Sequence, residues 1–278
     1  MFAPPARGSE LKPATSAAFD RYIAATEAQR ESDAGLAQFL IIDALPDAQR
    51  QAAYDQLQQG QVYIQELRTR EEGQSIPIPS GLIHHWAGVI FIPKATLPEI
   101  LAVLNDYDHQ ADIYKPDVRQ SKLLGQTGDD AEIFEQFYSK TIVTVVLNAY
   151  FHVAQRPLSA SRCESASRST RIVEVMNPDS PGESEGAYGK DHGYMWRLNS
   201  YWRIEEKDGG VYVQNESVSL SRTMPVLLAW LIEPLTKSIP RDVLSRTLED
   251  TRRAVEANAA KANTRSRKQE PRPADATP

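Results

Sequence analysis

The residues of this chain that could do chemistry fall in a few places. Gly182-Glu183-Ser184-Glu185-Gly186 matches G-x-S-x-G, the turn that presents a serine nucleophile between a strand and a helix. Here Asn177, Pro178 and Pro181 precede it and Ala187-Tyr188-Gly189 follows. That is a polar loop with no strand before it and no helix after it, so a serine hydrolase is not expected. His84 and His85 are adjacent; on a strand they point to opposite faces and cannot simply share one metal ion. Asp106, Asp108 and His109 could add ligands, but no His-x-His or His-Glu-x-x-His spacing supports a metal site. His109 or His85, with Asp108 and Tyr107, could instead form a general acid/base pair. Histidine suits proton transfer near neutral pH, and tyrosine can donate to a developing oxyanion. The competing reading is that Tyr107, Asp108 and His109 cap a short helix. Arg197, Asn199 and Tyr201 share one strand parity. That parity is either solvent-facing or, inside a cavity, a polar patch that fixes a ligand's head group. Cys163 is the one cysteine, which excludes an internal disulfide and a cysteine-based metal site.

The elements that must position these groups can be read from periodicity. In 193–204, Tyr194, Trp196, Leu198, Trp202 and Ile204 share one parity, which predicts a half-buried antiparallel strand. Lys207-Asp208-Gly209-Gly210 supplies a hairpin turn, and 211–220 returns. Beyond it, Thr223 can cap a helix that Pro234 ends, and Ser238 with Pro240 can start another. Leu244, Leu248, Thr251 and Val255 form a single stripe facing the sheet. Upstream, Phe19, Tyr22, Ile23 and Thr26 predict a helix over 16–30, and Pro46 and Gly60 bracket a second. Residues 61–68 form a weak strand and 82–93 a strong one. Thr96, Pro98 and Glu99 start a helix whose stripe is Ile100, Leu101 and Leu104. Strands follow over 118–126, 131–140, 142–153 and 160–176, and 177–192 is a loop.

Net charge is −6, unevenly spread: residues 261–278 carry five basic and two acidic side chains, so the first 260 are more acidic still. An acidic body argues against nucleic acid as a partner. No window approaches 18 apolar residues, and the first residues lack the apolar core of a signal peptide, so a soluble protein is expected, cytoplasmic or, if the N-terminus is trimmed, exported. Segment 224–232 is too apolar for a surface helix. It either packs across the sheet or forms a lid over a cavity mouth that could touch a membrane.

The order from residue 82 is strand, two short helices, six strands, long helix. Together with 81–86 (GLIHHW), 106–109 (DYDH), 169–175 (STRIVEV), 196–203 (WRLNSYWR) and 238–241 (SIPR), it resembles a bacterial group of the START-like (Bet v 1-like, SRPBCC, polyketide cyclase-like) superfamily. The resemblance covers about 76–256. It implies an α+β helix-grip fold, a curved antiparallel sheet around a long C-terminal helix, and a cavity rather than a particular reaction. The expected organisation is disorder over 1–14, a helical N-terminal extension over 15–75, the ligand-binding domain over 76–258 and a disordered tail over 259–278. The expected function is binding or transport of a lipid, isoprenoid or polyketide, with no cofactor, no metal and no obligate protein partner. Expected lining residues are Trp86, Tyr107, His109, Tyr114, Tyr138, Asn148, Trp196, Asn199 and Trp202. Two alternatives stay open: a cyclase- or dehydratase-like enzyme using His109 or His85, and a protein-interaction module using the N-terminal helices and 224–232.

Overall fold

The computed structural model describes residues 9–34, 38–140, 144–223 and 226–269, with the backbone alone for 9, 33–34, 226–239, 263 and 265–269. Two helices come first, α1 (Pro13–Ala34) and α2 (Asp47–Gln58). Strands β1 (Tyr63–Glu66) and β2 (Gly81–Pro93) follow. Helices α3 (Leu97–Leu104) and α4 (Gln110–Ile113) lead into β3 (Val118–Thr127), β4 (Asp130–Lys140), β5 (Thr144–Ser159) and β6 (Arg162–Met176). Strands β7 (Arg197–Lys207) and β8 (Gly210–Arg222) then precede α5 (Val226–Gln269). The strands form one antiparallel sheet in the order β1-β2-β8-β7-β6-β5-β4-β3, and Ser184–Glu185 adds a short strand against the end of β6. The first strong strand thus lies beside the last, and α3 and α5 pack on one side. This is an α+β helix grip.

Local chemistry sets the junctions. Asp208 and Gly209 both take positive φ, 56° and 75°, and Lys207 pairs with Gly210. Two successive positive φ values match the right-handed twist of the strands they join. Glu99 Oε2 accepts from the Thr96 N–H and hydroxyl, each at 2.9 Å, which fixes the start of α3.

Both faces of the central strands are covered. On one, Ile90, Ile92, Ile204, Val211 and Val213 meet α3 and the α5 residues Leu244, Leu248 and Val255. Each leucine so buried stabilises by about 1.5–3 kcal/mol. On the other, α1 lays Phe19, Tyr22 and Ile23 over Tyr201, Val218 and Leu220, while Leu57 and Phe39 cover Val89, Phe91 and Tyr212. This double cover explains why β2 reads as continuously apolar over 87–92.

A buried polar chain runs under α1. The Tyr22 hydroxyl lies 2.9 Å from His85 Nδ1, and His85 Nε2 lies 2.9 Å from Glu216 Oε1. The other Glu216 oxygen accepts from Arg30. Arg203 donates to Glu164 at 2.8 Å, to the Phe39 carbonyl at 3.0 Å and to the Arg30 carbonyl at 2.7 Å. Burial alone would raise the Glu216 pKa, but the His85 hydrogen bond and the Arg30 charge outweigh it and hold the carboxyl at about 2.

Three expectations differ in detail. Residues 9–10 pair with Asp191 and Lys190, and α1 begins at Pro13, within the span expected to be disordered; 1–8 lie outside the described residues. The backbone of α5 runs unbroken past Pro234 and Pro240 to Gln269, so the two short C-terminal helices are one and the helix enters the expected tail. The linker of 73–81 contains half of a small hairpin, Arg70–Glu71 against Gln74–Ser75.

Gly88 is what lets α5 close onto β2. A Cβ there would stand 2.8 Å from Leu248 Cδ1 and 3.3 Å from the Tyr63 carbonyl. Gly88→Val is expected to lower stability by about 1–3 kcal/mol by overpacking this contact. Chemical denaturation checks it, and an unchanged midpoint would refute it.

Candidate functional site

Between the sheet, α3, α4 and α5 lies a cavity of about 790 Å³, within the roughly 300–1,000 Å³ typical of small-molecule sites. Its walls are mostly apolar. Leu101, Leu104 and Tyr107 come from the helical side, Ile133 and Phe137 from β4, Leu147 and Phe151 from β5, and Leu244 from α5.

Of the nine expected lining residues, the structure places Trp86, Tyr107, Tyr114, Tyr138 and Trp202 around this cavity. Tyr114 is buried, its hydroxyl 3.1 Å from Thr251 Oγ1 on α5, and burial raises its pKa to about 12. Tyr138 carries the Arg119 guanidinium 3.7 Å from its ring centre.

The other four lie elsewhere. His109 is exposed and pairs with Asp106 at 2.6 Å, because the 3-10 turn over Tyr107–His109 aims Tyr107 inward and His109 outward. Asn148 sits on the outer parity of β5, donating to Glu185 at 2.9 Å and accepting from Gln136 at 3.0 Å. Trp196 precedes the first residue of β7, donates its indole N–H to Asp191 at 3.1 Å and packs in the cluster under α1. Asn199 is on the α1 face, donating to the Tyr201 hydroxyl at 3.2 Å, which in turn donates to Glu27 at 2.8 Å. The parity of Arg197, Asn199 and Tyr201 is therefore neither solvent-facing nor ligand-facing.

The acid/base assignment needs the same correction. His85 belongs to the buried chain on the far face of the sheet, and His109 is at the surface, so neither reaches the cavity. His84, the strand neighbour of His85, does line it, with Nε2 3.2 Å from Ser221 Oγ, and burial lowers its pKa. Ser184 of the G-x-S-x-G stretch is exposed on its two-residue strand. Among the described residues no group of three His, Cys, Asp or Glu could hold a metal ion, and no helix is long and apolar enough to cross a membrane. Residues 224 and 225 and the side chains of 226–239, which include most of the apolar run, lie outside the described residues.

Two features escaped the sequence reading. Ser165, Ser167, Ser200, Ser217, Ser219 and Ser221 put hydroxyls on the cavity face of β6, β7 and β8. In β8 the serines alternate with Val218 and Leu220, which are buried against α1, so the usual apolar-inward assignment is inverted. Glu135 lines the cavity between Ile133 and Phe137. Its signal was present: a carboxylate on the apolar parity of a strand. Burial pushes its pKa up to about 7.

No family model matches this sequence, and no curated protein matches it. Solved structures do. The Zhui aromatase/cyclase from Streptomyces sp. R1128 aligns over 64% of this chain and 96% of its own at 10% identity and TM-score 0.45. Human STARD10 aligns over 82% and 91% at 8% identity and TM-score 0.44. The STAR-related lipid transfer protein from Xanthomonas axonopodis aligns over 68% and 98% at 16% identity and TM-score 0.41. At such values these likenesses carry no argument, and the helix-grip description rests on the strand order and helix placement above. The fold encloses a cavity of a size that small-molecule sites have.

Proposed function

We propose that this chain binds and carries a hydrophobic small molecule, of the lipid, isoprenoid or polyketide class, in the cavity between the sheet and α5. The observation that carries the reading is the cavity itself, about 790 Å³ with mainly aliphatic and aromatic walls. Transfer of an apolar molecule from water into such a space is favourable in proportion to the area it buries. Aromatic side chains such as Trp86, Trp202 and Tyr107 supply contact area at little entropic cost. The acid/base alternative has lost both histidines on which it stood.

Native mass spectrometry of the purified chain, followed by organic extraction, tests this directly: a defined apolar molecule is expected to come off. Ser219→Phe, which projects a ring into the cavity from β8, is expected to weaken binding of a neutral dye such as Nile red by about ten-fold or more. Equal affinity of the folded variant and the wild type would place the ligand elsewhere and refute the reading.

A further inference from the structure

Glu135 is the one carboxyl in the cavity for which no partner exists among the described residues; Asp117, the other cavity carboxylate, is held by Arg246 at 2.9 Å and 3.0 Å. In the sheet Glu135 sits between Ser121 of β3 and Ala149 of β5, and no hydrogen bond or ion pair of the described residues reaches its carboxyl. Tyr107 and Tyr114 lie close enough for its charge to raise both their pKa values, after burial, which is the larger cause. Their hydroxyls are already engaged, Tyr107 donating to Asn105 at 3.3 Å and Tyr114 meeting Thr251 at 3.1 Å. The side chain is half-buried and opens onto the cavity, so a ligand that displaces water from it must supply the bond its carboxyl would lose. A folded chain that keeps an acid in an apolar hollow is best explained by a ligand that satisfies it.

We propose that the occupant of the cavity is an apolar molecule bearing a neutral oxygen, an alcohol or a ketone, and that Glu135 is the residue that seats this oxygen. This rests on the ligand-binding reading above and names its chemical class. With its pKa pushed up to about 7 by burial, the carboxyl is mainly protonated at pH 6. A protonated carboxyl both donates and accepts, so it can donate to a ketone or accept from an alcohol. A ligand ammonium would need the ionised form. Of the other sheet-side polar groups, Ser167, Ser200, Ser217, Ser219 and Asn215 are neutral, the last donating to Ser200 at 2.8 Å, while Arg222 at the end of β8 and His84 of β2 also line the cavity. The neutral groups would meet further oxygens of the same molecule.

The test uses the full chain at pH 6 and displacement of Nile red by 1-decanol, 2-decanone, decane and decylamine. The wild type is expected to bind the alcohol and ketone about ten-fold more tightly than decane, the worth of one hydrogen bond made in an apolar setting. E135L should lose that preference while still binding decane. E135Q should keep it, because an amide also donates and accepts. The proposal is overturned if the wild type binds decanol and decane alike, if E135L retains the preference, or if decylamine binds most tightly. Failure of the underlying reading looks different: a folded chain that binds neither Nile red nor any of the four overturns both.

Discussion

Glu135→Gln is expected to stabilise the protein by about 3 kcal/mol at pH 8 and to change little at pH 4. The sign follows from proton linkage. In the folded chain the carboxyl titrates at about 7, against 4.5 for the ordinary side chain, because burial disfavours its charge. Between these values the folded state holds a proton that the unfolded state has released. Stability from this group is therefore complete below about 4.5 and falls as pH rises through 7. Glutamine has the same shape and no charge to bury, so the loss disappears. Urea unfolding of both proteins at pH 4, 6 and 8 checks this: the two curves should converge in acid and separate in base. Parallel curves would mean that the carboxyl is solvated in the folded chain. A bound alcohol or ketone should change the pH dependence of the wild type and raise the stability of Glu135→Leu equally at every pH.

The second large effect lies on the opposite side of the sheet. Glu216→Ala is expected to cost about 3–5 kcal/mol. Glu216 is buried, with a side-chain exposure of 6%, and takes both His85 and Arg30. Removing it strands the Arg30 guanidinium, itself only 11% exposed, with no other acid among the described residues bonded to it. The neighbouring Arg203 also enters this region, so a local net positive charge would be left out of water. Because the carboxyl is held at about 2, the stability it contributes is present above pH 4.5 and is lost as pH falls toward 2. Denaturant midpoints for the variant and the wild type at pH 7 decide the matter; a difference under about 1 kcal/mol would show that the pair is replaceable.

These two acids also show what the sequence reveals and what it hides. Element order, the β7–β8 hairpin, the capping box at Thr96 and the buried stripe of α5 could all be read from spacing, because each is decided within a dozen residues. The parity of β7 was half legible. Leu198, Trp202 and Ile204 do face the cavity, whereas Trp196 falls before the strand and turns toward Asp191. The opposite parity was misread because what covers Tyr201 and Arg203 is α1, some 170 residues away in sequence, and no pattern inside the strand reports it. The serines of β8 were hidden for the same reason: with α1 burying Val218 and Leu220, the polar parity was left to the cavity. Within the sheet Glu135 was the readable exception, a charge at the position where the pattern of Ile133 and Phe137 asks for an apolar side chain.

The covering of the sheet by α1 has a practical meaning for anyone who wishes to shorten this protein. Cutting before residue 76 would bare a plane on which Val218, Leu220 and Trp196 lie beside His85, Glu216 and Arg203, stripped of their bonds to Tyr22, Arg30 and the Phe39 carbonyl. Such a fragment would be greasy and miscompensated in charge at once, a surface prone to self-association. The first helices are half of the wrapping, and binding assays should be run on chains that retain them.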